Sequence, residues 1–176
     1  MRLRQVVVPL ALALLPLALA VPALADGGAT TASIVVLGGS LVITMPEQVL
    51  TLTHAVSRIE AVTLSGRLGA VEVSDARGAG AGAGWVVNIS STAFAPPAGP
   101  SITAAAVGYQ AGPIAQAGTA TLTTHDPSGL AEMTAAVTAT GVAGHNSATW
   151  NPTITVTLPG GAPAADYTGT ITHSVT

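Results

Sequence analysis

The side chains able to carry chemistry are few and scattered. The chain has four histidines, eight acidic residues and five arginines, with neither lysine nor cysteine. His54, His125, His145 and His173 share no metal-ligand spacing, so no zinc site is expected. The acids lack the alternating cluster of a calcium loop. Glu72 and Asp75 are three positions apart, which sends them to opposite faces of an extended strand. They cannot pair across a cleft for glycoside hydrolysis. No Gly-x-Ser-x-Gly elbow marks a serine nucleophile. The reading is therefore a protein that is not an enzyme, without cofactor or metal. Three residues are left as candidates for ligand or partner contact: Trp150, Asp75 and Arg77. Asp75 and Arg77 flank one residue at a strand end, where the alternatives are a local ion pair or turn cap and a ligand contact. Trp150 stands beside Asn151-Pro152, and the sequence leaves it open between a partly exposed contact and a lid on the core edge.

The elements around these residues read as strands. In residues 85–90, Trp85, Val87 and Ile89 share one face and alternate with Val86, Asn88 and Ser90. That period of two marks a half-buried strand. Trp85 is the expected core anchor, because aromatic side chains bury the most apolar area. Residues 78–84 alternate Gly and Ala and read as a flexible hairpin tip between two short strands. No helix follows them, so they do not form a phosphate cradle. Residues 153–158 and 167–175 alternate most clearly, with Tyr167, Ile171 and His173 on one inward face. Tyr167 should reach a backbone partner with its hydroxyl. Residues 33–37, 41–45, 49–53, 59–64, 68–74 and 118–123 are further strand candidates, and residues 132–140 are ambiguous. Residues 102–109 are Ala-rich, so a helix is an alternative there. Some ten short strands, punctuated by Gly and Pro, predict an all-β fold: an antiparallel β-sandwich, Ig-like or Greek-key-like.

The N-terminal residues set the expected compartment. Arg2 and Arg4 precede an apolar run that exits through Ala23-Leu24-Ala25. This is the pattern of a cleaved signal peptide over residues 1–25, leaving one domain over residues 26–176. That domain would carry Arg58, Arg67 and Arg77 against all eight acids. A net-acidic surface without basic clusters argues against nucleic acid and anionic lipid as partners. The absence of cysteine in an exported chain means that burial and backbone pairing must hold the fold without disulfides.

Two spaced motifs carry a resemblance. The first is Val73-Ser-Asp-Ala-Arg-Gly78, the glycine run, and Trp85-Val-Val-Asn-Ile-Ser90. The second is Ser147-Ala-Thr-Trp150, the run 153–158 with Pro159, and Tyr167-Thr-Gly-Thr-Ile171-Thr-His173. Together they resemble the WxL domain of Gram-positive surface proteins over residues 34–175. The proximal motif has Val87 where that family has leucine. The distal motif has His173 where it has tryptophan. The resemblance implies that Trp85, Val87, Tyr167, Ile171 and His173 are motif residues of the core. It also implies a secreted, cell-wall-associated protein that binds peptidoglycan or partner surface proteins non-covalently. No Leu-Pro-x-Thr-Gly sorting signal suggests covalent attachment instead. The alternative function is a self-assembling subunit of a surface layer, pilus or matrix fibre, since a Thr- and Val-rich sandwich with little charge has few devices against edge pairing.

Overall fold

The computed structural model describes residues 33–46, 52 and 58–176. The expected leader, His54 and most of the strand candidate at 49–53 lie outside the described residues. Contact clustering divides the chain between Val35 and Val36, and the folded unit is Val36–Thr176.

Eight strands make up this unit among the described residues: β1 (Leu41–Thr44), β2 (Val62–Arg67), β3 (Val71–Ser91), β4 (Val107–Gln110), β5 (Ile114–Thr124), β6 (Thr134–Trp150), β7 (Thr153–Leu158) and β8 (Ile171–Val175). All pairings are antiparallel. One sheet runs β1-β3-β6-β5, with β8 also paired to β3, and the other runs β2-β7-β4. The fold is an all-β sandwich, as the alternation predicted. Its core joins Val71, Val73, Trp85, Val87 and Ile89 of β3 to Val107, Tyr109, Ile154 and Val156 of the second sheet.

The glycine run is not a hairpin tip. β3 is one strand of 21 residues that continues through it. Its partner β6 has 17 residues and its own glycines, Gly141 and Gly144. The register between them shifts from Asp75 to Ala79, again to Ala83, and again to Trp85. β5 shifts beside them, between Ala117 and Thr119. Five glycines with positive φ lie along this line: Gly78 and Gly82 on β3, Gly141 and Gly144 on β6, Gly118 on β5. Glycine takes that conformation without steric cost, and each extra residue kinks the ladder.

These bulges turn three strands together through a corner. β1 pairs with residues 72–75 of β3 and β8 with residues 87–91. A flat strand would hold Asp75 and Val87 roughly 40 Å apart. Yet β1 and β8 come within 8 Å of each other between Cα atoms. β3 therefore doubles over, and its two halves face the same core. Strands that bend in this way make the corners of sandwiches.

Other expectations need correction. Residues 33–37 form no strand. Ile34, Val35, Val36 and Leu37 are 81–89% exposed, because apolar alternation without a paired edge does not make a ladder. The Ala-rich stretch holds only a 3-10 turn, Ala104–Ala106, before β4. Residues 167–170 do not belong to β8. Thr168 forms only an isolated bridge to Ala95. The short crossovers between sheets are tied to each other: Asn151 accepts from Arg67 Nη1 through its carbonyl at 2.7 Å and from the Gly69 amide through Oδ1 at 3.0 Å.

Candidate functional site

The corner gathers Asp75, Arg77 and Trp85. Alternation along β3 turns Asp75 to the inner face, where its side chain is fully buried. A bare carboxylate there would be costly, and Arg77 removes the cost. The guanidinium makes a two-pronged pair, Nε to Oδ1 at 2.9 Å and Nη2 to Oδ2 at 2.8 Å. The Arg77 amide donates to Oδ1 at 3.1 Å. The same Nη2 donates to the Gly84 carbonyl at 3.0 Å. One guanidinium thus ties the start of the glycine excursion to its end. Arg77 holds the Asp75 carboxyl below the usual carboxylate range, against the opposing effect of burial. Asp75 in turn raises the arginine above its ordinary value.

Asn146 lies opposite Asp75 on β6 and is buried. Its Oδ1 accepts from Trp85 Nε1 at 3.2 Å. Its Nδ2 is buried without a partner. Asp75 is fully buried, and Arg77, 35% exposed, turns its Nε and Nη2 to intramolecular bonds.

The second cluster lies inside the core. Trp150 is the last residue of β6 and is 2% exposed. Its Nε1 donates to the Tyr109 hydroxyl at 2.7 Å. The indole is thus not partly exposed and packs within the core. Burial pushes the Tyr109 phenol up to about 12, so it stays neutral. The Tyr109 ring meets His173 edge-on at 5.6 Å. His173 does face inward and is 6% exposed. Its Nε2 has no partner. Burial pushes its pKa down to about 4. Val87 is fully buried and Ile171 packs against the core edge. Tyr167 also packs there, and its hydroxyl donates to the Pro163 carbonyl at 3.1 Å. The two motif segments share one ladder, in which Val87 opposes Val175 and Ile89 opposes His173.

The outer face of β2-β7-β4 is coated with hydroxyls. Thr63, Ser65, Thr153, Thr155 and Thr157 alternate with inward Leu64, Ile154 and Val156. Thr63 and Thr157 share a hydroxyl hydrogen bond at 3.1 Å. Beside β4 this face sinks into a groove of about 230 Å³, in which Gln110, Asp126, Ser128, Thr155 and Thr157 stand beside Ala105, Ala106, Gly108, Tyr109 and Pro127. Gly108 keeps it open, since a Cβ there would strike Thr155 Oγ1. Asp126 adopts a left-handed φ of 43°. From there its Oδ1 accepts the Ala111 amide at 2.8 Å, and the Pro127 carbonyl accepts the Tyr109 amide at 2.9 Å. This turn covers the edge of β4. No local pattern marks the groove, because the turn and the strands meet only in the fold.

Among the described residues no His, Asp and Glu group could hold a metal ion. No described helix is long and apolar enough to cross a membrane. Comparison of the chain with family models, with curated proteins and with solved structures gives no match.

Proposed function

We propose that this chain is an exported, non-catalytic recognition module that binds cell-wall peptidoglycan or a partner surface protein without a covalent bond. The observation that carries the reading is the hydroxyl-coated outer face of β2-β7-β4 with its groove. Its lining supplies amide and hydroxyl donors and acceptors with one carboxylate and no cation. Such a set suits a neutral, hydroxyl-rich polymer such as wall glycan, and not a phosphate backbone. The resemblance to WxL domains supports the same reading. Its two motif segments pair with each other and feed one core. The signal-peptide pattern of residues 1–25 supports a place at the cell surface. The test is co-sedimentation of the secreted protein with isolated Gram-positive wall. Pelleting that survives moderate salt is expected. Protein that remains in the supernatant at both low and moderate salt contradicts direct wall binding.

A second reading is a self-assembling subunit of a surface layer, pilus or matrix fibre. The observation favouring it is the run of exposed aliphatic side chains at residues 34–37. Four adjoining, water-exposed aliphatics are a liability in a secreted monomer and an asset in a strand donor.

A further inference from the structure

We infer that residues 34–37 of one copy add as a strand to the edge of β5 in a second copy, alongside residues 121–124. This inference rests on the self-assembly reading and names its surfaces.

The donor is Ile34-Val35-Val36-Leu37. Its side chains have high strand propensity and are 81–89% exposed. Gly38 and Gly39 follow, and the Gly39 amide is bonded to the Ala76 carbonyl. The donor is thus a short apolar segment leading off a fixed point, without charge.

The acceptor follows from a survey of the edges: β1, β2 and β8 have only four to six residues, and β2 ends on Arg67. The edge of β4 is covered, because Asp126 and Pro127 bond the amides of Ala111 and Tyr109. β5 pairs only with β6 and has 11 residues without a charged side chain. Its first half is guarded. Gly118 breaks it with a bulge, and the Gln116 amide donates to the carbonyls of Gly118 and Ala120 at 3.4 and 2.7 Å. Bulges of this kind protect edges. The second half has no such device. Its pairing from Thr121 to Thr124 runs without a shift. Leu122 there packs against the core but stays half-exposed. A strand laid beside this stretch would extend the ladder and cover that side chain.

A second copy is the occupant because one chain carries both halves: an uncharged donor of four residues and an uncharged acceptor of four. Donor and acceptor are different patches, so the contact is head-to-tail and extends to a chain of copies.

The chain has no cysteine, so single cysteines report cleanly. The full chain is expressed for export as V36C and, separately, as T123C. The two products are mixed under mild oxidation. A mixed disulfide dimer is expected to dominate over either homodimer. Wild-type protein should elute as concentration-dependent oligomers, and Val36→Lys or Thr123→Lys should each shift it to the monomer position. Oligomers that persist in both lysine variants, without the mixed disulfide, overturn this interface while leaving self-assembly standing. A wild-type monomer at all concentrations overturns both.

Discussion

The Trp85 indole donates to Asn146 across 61 positions of sequence, although its ladder partner on β6 is Ala139. The bond spans the corner. It exists because the glycine bulges bring the second half of β3 back over the first. Asn146 is also the ladder partner of Asp75, so the tryptophan, the buried carboxylate and its arginine meet around one turn of the sheet.

The corner predicts unequal costs among its glycines. Gly118 has φ of +83°, and a Cβ there would lie 2.5 Å from the His145 carbonyl. Gly118→Ala should cost about 2 kcal/mol or more. Gly78→Ala meets no atom but keeps φ of +65° and should cost about 1 kcal/mol. Gly80 has neither constraint, and Gly80→Ala should be close to neutral. Urea unfolding of the three variants checks the order. A flexible tip would tolerate all three alike.

The sequence announces strands better than it announces corners. Alternation at Trp85, Val87 and Ile89, at Thr153–Leu158 and at His173 is local, and the fold keeps each of those faces. A glycine run is ambiguous by nature. It serves a hairpin tip and a bulged strand equally well, and the choice depends on the partner. Here the partner, β6, carries Gly141 and Gly144 at matching places, a relation visible only once Asp75 is set opposite Asn146. Trp150 was open for a related reason: Asn151-Pro152 reads as a turn, but the indole belongs to the strand before it. Leu130 is fully buried under a loop, and no periodicity marks a lone residue of that kind. The groove residues come from three separate segments, so no local pattern could collect them.

Arg77 should matter to stability through Asp75. Arg77→Met leaves a buried carboxylate without its counter-ion and should cost about 2–3 kcal/mol, discounted for the 35% exposure of the arginine side chain. Asp75→Asn with Arg77→Met should recover part of that loss. Because the Asp75 pKa is lowered in the fold, its contribution is present above the ordinary carboxylate range. It is lost as pH falls through the lowered value. A cycle of denaturant midpoints measures the coupling.

His173 sets a separate acid window. The unfolded chain takes a proton near pH 6.5, which the folded chain refuses until about pH 4. Stability is therefore full above about 6.5 and falls as pH drops toward 4, by about 3 kcal/mol across the window. His173→Phe removes both the titration and the unpartnered nitrogen. It should flatten the dependence of melting temperature between pH 7 and pH 4.5. An unchanged slope would assign the acid sensitivity to other groups.

The Trp150–Tyr109 bond gives a third stability test. Tyr109→Phe deletes the acceptor and leaves a buried indole N–H unsatisfied, at a cost of about 1–3 kcal/mol. Trp150→Phe removes the donor but also apolar volume, so its cost should be larger. The double variant should be less than additive, because the hydrogen bond is lost only once.

The folded corner is what places both motif segments on one core, and the protein has only two tryptophans with which to see it. The most direct measurement is the nuclear magnetic resonance signal of the Trp85 indole N–H, assigned by Trp85→Phe. A slowly exchanging proton with cross-peaks to the Asn146 side chain is predicted. An indole proton that exchanges freely with water and shows no contact to Asn146 would contradict the doubled strand and the reading of function built on it.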